Sequence, residues 1–190
     1  MPKDKNYKKI AKGAAEDKVN NIVFIMKFLN SKGGLDLVRE YFAESVPDYI
    51  IEYASPGGAT KWVMRQWLKR GSHSYLKKIV STMMEDGQLI NPPENYEIIE
   101  DKNEQTVLKL KCNYRKRLVK TGKKLKCNFD IQEYYCNHAC IPILSRIYAD
   151  IYCKVKVDLT DEGCIQTIQI DKATFSKDEE AASENEEGKN

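Results

Sequence analysis

The hydrophobic period of this chain changes at Asn91-Pro92-Pro93, and that change sets the fold class. Before it, apolar residues recur at helical spacing; after it, the clearest runs alternate with a period of two. From Glu16 to Asn30 the residues Val19, Ile22, Val23, Ile25, Met26 and Leu29 mark a helix, stopped by Gly33-Gly34. A second helix is predicted over 35–45, with Leu37, Val38, Tyr41 and Phe42 inward, and a short third from Pro47 to Tyr53. After a turn at Ser55-Pro56-Gly57-Gly58, a fourth helix runs from Ala59 to Arg70, closed by Gly71. A fifth runs from Ser74 to Glu85, closed by Gly87.

Beyond the prolines, Tyr96 to Glu100 and Gln105 to Cys112 read as strands joined by Asp101-Lys102-Asn103. Thr106, Leu108, Leu110 and Cys112 share one face of the second strand, and Lys109 and Lys111 take the other. Tyr114 to Thr121 makes a short helix ahead of Gly122, and Asp130 to Ala149 is mostly helical, with Pro142 breaking or kinking it or marking the start of its second part. A second hairpin closes the pattern: Ile151, Cys153, Val155, Val157 and Leu159 alternate with Tyr152, Lys154, Lys156 and Asp158, turn at Asp161-Glu162-Gly163, and return through Cys164 to Ile170. The expectation is an α+β domain, an N-terminal helical bundle packed with a small antiparallel sheet made of two hairpins. Its parts are a flexible N-terminus (1–14), a helical half (15–90), a cysteine-containing α+β half of the same domain (91–176) and a disordered acidic tail (177–190).

That tail carries six acidic and two basic side chains with no aromatic or branched aliphatic residue, so it buries too little apolar surface to offset its ordering entropy. The net charge of +3 therefore hides a body of +7. No run of about 18 apolar residues is present, and the charged first dozen residues are not followed by an apolar stretch with a small-residue cleavage site. The expected setting is cytoplasmic, away from membranes. There, cysteines stand as thiols, metal ligands or small buried residues in preference to disulfides.

All six cysteines fall between Cys112 and Cys164, which places the candidate chemistry in the C-terminal half. Within Cys136-Asn137-His138-Ala139-Cys140, residues four apart share a helix face, so Cys136 and Cys140 are a candidate ligand pair. Cys112 or Cys127 would complete a set for zinc or, as a second choice, an iron–sulfur cluster, with His138 joining only if the helix is irregular. Cys164, beside the turn glycine, is a further pocket candidate, and Cys153 sits on an apolar strand face as core. The competing reading makes all of them small buried residues on packed elements. No Ser-His-Asp constellation is present, and a Cys–His pair drawing on His138 is the one nucleophilic alternative.

The densest charge lies between Lys109 and Lys126: Lys109, Lys111, Arg115, Lys116, Arg117, Lys120, Lys123, Lys124 and Lys126, with no acidic residue among them. Such a stripe attracts phosphates of a nucleic acid or a charged ligand, or it is a solvated face that draws back the acidic tail. Only Tyr114 interleaves with it, which gives little basis for base stacking. The order helix, helix, glycine, hairpin from Tyr75 onward also has the sequence of a winged-helix DNA-binding unit, with Ser72 to Lys78 near its reading helix; Glu85 and Asp86 oppose that surface. Apolar helix faces in the N-terminal half would serve a homodimer as well as a core.

From Glu97 to Ile170 the order is hairpin, Cys112 closing a strand, short helix, Cys127, a helix with Cys140, and a last hairpin with Gly163-Cys164. In this it resembles the 4-vinyl-reductase type of small-molecule-binding domain and the L-2-amino-thiazoline-4-carboxylic acid hydrolase-like proteins, the matching positions being Cys112, Cys140, Gly163 and Cys164. The glycine and last cysteine are adjacent here, where that pattern has a spacer. The resemblance implies an α+β fold around a small-ligand pocket. Two functions follow as expectations: a ligand-binding domain whose pocket or metal site uses Cys112, Cys127, Cys136, His138, Cys140 and Cys164, or a hydrolase of a small cyclic amino-acid-like substrate. Nucleic-acid binding through 109–126 is the third.

Overall fold

The computed structural model describes residues 3–46, 48, 52, 56–87 and 90–178. The short helix expected from Pro47 to Tyr53 lies mostly outside these residues, as does the acidic tail beyond Asp178. The chain forms α1 (Lys3–Glu40) and a π-helical turn (Tyr41–Ser45), then α2 (Gly58–Arg70) and α3 (Ser72–Gly87), and next β1 (Tyr96–Lys102) and β2 (Gln105–Lys111). It continues through α4 (Asn113–Lys124), α5 (Ile131–Tyr135), a second π turn (Cys136–Cys140) and α6 (Ile141–Asp150) to β3 (Cys153–Leu159) and β4 (Gly163–Ile170). None of the described helices is long and apolar enough to cross a membrane.

The α+β class and the small antiparallel sheet are as predicted. The two hairpins share one sheet in the order β1-β2-β4-β3, because β2 pairs with β4 from Gln105↔Gln169 to Lys111↔Gly163. The sheet follows the alternation of its sequence: Thr106, Leu108 and Leu110 with Cys164, Gln166 and Ile168 are buried beneath the helices, while Lys111 and Gln169 face water. α1 begins upstream of the predicted Glu16, and Gly34 interrupts it with φ 72°, a left-handed conformation that suits glycine.

Three local departures have physical causes. Gly122 does not end α4; it lies buried within it, where an added Cβ would stand 2.1 Å from Ile131 Cδ1, so the glycine serves close helix packing. Pro142 sits in the first turn of α6 and so starts the second part of this helical stretch, as predicted, while the irregularity itself falls ahead of it, in the π turn. The π turn just ahead, closed by the Ile141 N–H donating to the Cys136 carbonyl, absorbs the missing donor and the ring's conflict with the preceding turn. Tyr152, predicted to alternate outward, adopts φ 58° and is 1 % exposed; left-handed backbone between α6 and β3 turns its ring inward.

Two clusters make the core. Val19, Val23, Met26, Val38, Phe42, Leu118, Ile131 and Ala139 unite α1 with α4, α5 and the second π turn. Leu68, Tyr75, Leu76, Val80, Tyr148, Tyr152, Cys153 and Ile168 seat α2, α3 and α6 on the sheet. The sheet is fastened to α4 at one corner: the Arg115 guanidinium donates to the carbonyls of Thr160, Asp161 (2.8 Å) and Gly163 (3.0 Å), and the Cys112 N–H donates to the Glu162 carbonyl at 3.0 Å.

A Cβ on Gly163 would lie 1.8 Å from the Leu110 carbonyl oxygen and 2.8 Å from the Cys112 nitrogen, both backbone atoms that no rotamer change can move. Gly163→Ala is expected to destabilise the fold by about 3 kcal/mol, read as a lowered urea midpoint at unchanged slope. Arg115→Lys, which keeps the charge but loses the planar fork, is expected to cost about 2 kcal/mol in the same assay.

Candidate functional site

The covered face of the sheet carries the candidate chemistry. From the register, Tyr96, Ile98 and Asp101 of β1 stand beside Leu110, Leu108 and Thr106 of β2, which stand beside Cys164, Gln166 and Ile168 of β4. α3 packs on β2 and β4. At the β1 edge this leaves a cleft of about 290 Å³, walled by Val80, Met84, Pro93 and Ile98, floored by Thr106, and rimmed by Lys77, Glu85 and Asp101. Ile98 is 52 % exposed there, an apolar side chain facing the cleft instead of a helix. The two rim carboxylates are already engaged: Asp101 Oδ2 lies 3.0 Å from His73 Nε2 and Oδ1 accepts from the Thr106 hydroxyl, while Glu85 accepts from the Ser81 hydroxyl at 2.9 Å. Lys77 makes no ion pair among the described residues.

Further along the same face, four of the six predicted site residues, all cysteines, converge. Cys112 ends β2 as the N-cap of α4, its sulfur accepting from the Arg115 N–H at 3.4 Å; Cys164 opens β4; Cys136 and Cys140 come from the second π turn. They are close enough to perturb one another electrostatically. Burial pushes the Cys136 thiol up to about 11, with Cys112 adding to the effect, and raises Cys140 further, with Cys136, Cys112 and Cys164 as neighbours. At Cys112 burial also outweighs the two backbone N–H donors and the charges of Arg115 and Lys116 that act the other way. Tyr114 and Tyr135 stack beside them with ring centroids 5.3 Å apart, and burial raises both phenols, Tyr114 to about 12. The group is neutral, soft and polarizable. In it the Gln166 amide donates to Cys164 at 3.5 Å, and its Oε1, on a side chain 3 % exposed, has no hydrogen-bond partner.

The other two predicted site residues stand apart. Cys127 packs on the first core cluster, near Lys27 of α1, and His138 lies against the Tyr134 ring at 5.2 Å. Among the described residues no three His, Cys, Asp or Glu side chains form a group able to hold a metal ion. Cys153 is fully buried core, as predicted.

Of the basic segment, Lys109 pairs with Glu97 and Lys111 with Glu162, each at 3.7 Å, and Arg117 lies 3.6 Å from Glu16. Arg115 is spent on the β3–β4 turn. The cleft residues escaped the sequence reading, although two signals bore on them: the adjacent Ile98-Ile99 in a strand whose other residues are mostly polar, and Thr106 on an apolar face.

Because the fold raises the thiol of Cys136 from 9.0 to about 11, the neutral thiol stabilises the native state fully below pH 9, and that contribution is lost as pH climbs through the native value. Urea unfolding at pH 8, 9, 10 and 11 is expected to show stability falling on the order of 1 kcal/mol per pH unit above pH 9. At pH 8, native protein is expected to react with a thiol reagent first at half-buried Cys127, with buried Cys136 and Cys153 protected until urea is added. Compared with known proteins, the chain matches no family model, no curated protein and no solved structure.

Proposed function

We propose that the protein is a small-molecule-binding domain, and that the cleft between α3 and β1 receives a compact ligand with an apolar body and a carboxylate. The supporting observation is the pairing state of the rim. Asp101 and Glu85 are held by protein donors, and Lys77 is the cation left without a partner among the described residues. An apolar ring fits between Val80, Met84, Pro93 and Ile98, where it removes exposed apolar surface from water at roughly 25 cal/mol per Å². A volume of about 290 Å³ is at the low end for ligand sites and suits a small molecule. A cyclic amino-acid-like carboxylate, the class implied by the resemblance to L-2-amino-thiazoline-4-carboxylic acid hydrolase-like proteins, has this chemistry.

Binding is favoured over hydrolysis by the state of the thiols. A cysteine nucleophile works as a thiolate, and here burial holds Cys112, Cys136, Cys140 and Cys164 in the neutral form. The thiols therefore act as a polarizable wall of the interior behind the cleft.

Thermal melts against a panel of small cyclic and aryl carboxylates test the reading. A ligand at about 100 times its Kd is expected to stabilise the protein by about 2.7 kcal/mol. Met84→Trp, which fills the cleft, is expected to abolish the shift. Lys77→Gln is expected to weaken the acid about three- to tenfold while leaving the corresponding neutral amide unchanged. A panel without any shift, or a shift that survives Met84→Trp, overturns the assignment.

A further inference from the structure

α4 presents a second surface with no part in the cleft. Once Lys109, Lys111, Arg115 and Arg117 are assigned to their protein partners, five basic residues of the segment remain exposed: Lys116, Lys120, Lys123, Lys124 and Lys126. None of the five makes an ion pair among the described residues. Four of them lie on the helix itself. At 100° per residue they occupy an arc of about 100° and extend about 12 Å along the axis, opposite the buried Leu118 and Gly122. The stripe is thus a linear array of cations held apart by a rigid element, on a helix fixed at its start by the Arg115 contacts.

A groove of about 450 Å³ runs along its flank between α1 and α4, lined by Arg117, Lys120 and Lys124 with Val19, Asn20 and Thr121. Glu16 is the acidic side chain lining it, and it faces the Arg117 guanidinium. Arg117 Nη1 is buried and makes no hydrogen bond, and the Glu16 carboxylate lies 3.6 Å from it, so the cations that line the groove and stay unpaired among the described residues are Lys120 and Lys124. A single phosphate would engage one end of such a surface. A polymer with regularly spaced phosphates engages its whole length.

We propose that this face of α4 binds the phosphate backbone of double-stranded nucleic acid, without reading its sequence. Charge complementarity selects the polyanion, and the aromatic inventory selects the duplex. Tyr114, the one aromatic residue on α4, is half-buried and stacked on Tyr135, so the helix offers no ring on which unpaired bases could stack. Binding by lysines to phosphates alone is carried by counterion release and is steeply salt-dependent.

The test is fluorescence anisotropy of the full chain with a labelled random-sequence DNA duplex between 50 and 200 mM salt. Four to five phosphate contacts are expected to give a log K against log salt slope of about −4. The variant Lys120→Gln/Lys123→Gln/Lys124→Gln is expected to lower affinity at least tenfold at the low-salt end and to flatten the slope by about 3. Lys154→Gln/Lys156→Gln, on β3, is expected to change neither, and matched melting temperatures establish that both variants fold. Absence of binding at 50 mM salt, a salt-independent affinity, or equal binding by the triple variant overturns the proposal. So does tighter binding of a single strand of the same sequence. Binding that emerges only when Glu184, Glu186 and Glu187 are changed to Gln assigns the face to the chain's own acidic tail and overturns it as well.

Discussion

Gly163 brings β4 so close to the end of β2 that the backbone of one strand occupies the space a side chain on the other would need, and the rest of the C-terminal half is built around that approach. It allows β2 and β4 to stay paired to their last residues, Lys111↔Gly163, which turns two separate hairpins into one sheet. With the strands this close, the β3–β4 turn lies under the first turn of α4, where Arg115 collects three of its carbonyls and the Cys112 N–H a fourth. The Gly163 carbonyl also accepts from the Thr160 N–H at 3.0 Å, which closes the turn, and the guanidinium supplies further donors in a fixed plane. The direction of α4 follows. Leu118 and Gly122 turn toward Ile131 and the first core cluster, and the lysines turn to solvent.

The elements of this fold were readable because each depends on its own residues. The alternation of Val155 and Val157 with Lys154 and Lys156 specifies a strand with one wet face, and Gly71 marks the end of a helix whichever way that helix packs. What could not be read depends on residues distant in the chain. The joining of β2 to β4 requires Gly163 to meet Leu110, a contact that no local pattern announces. Gly122 carries the local signature of a stop, yet it is a packing position, since its role is set by Ile131. The basic segment was plain as a run of charge, but its division into engaged and free cations needed Glu97, Glu162, Glu16 and the turn carbonyls, all outside the run.

The cysteines show the same limit at the level of chemistry. Spacing suggested ligands, and four of the proposed residues do meet. Their meeting place, however, is the buried junction of strand ends with the second π turn, where desolvation is the largest influence on every one of them. Cys112 illustrates the balance. It occupies a helix N-cap with two N–H donors and two nearby cations, surroundings that ordinarily favour a thiolate, and its thiol is nonetheless raised. Residue type and helical position specify the favourable interactions; burial, a property of the whole fold, decides against them.

The cleft arises from the strand order together with one irregularity in β1. An edge position leaves β1 outside the cover of α3, which rests on β2 and β4. An unbroken edge strand would place residues 96, 98 and 100 on the covered face, with Asp101 turned to solvent. The shift of register between Ile98 and Glu100 inserts one residue, so Ile98 opposes Leu108 and Asp101 opposes Thr106, both on the covered side. Ile99, the extra residue, is turned outward and 53 % exposed. That one insertion puts an aliphatic wall and a carboxylate into the same cleft. It also brings the carboxylate within reach of His73 at the start of α3 and of the Thr106 hydroxyl, which leaves Lys77 as the rim charge without an ion pair among the described residues.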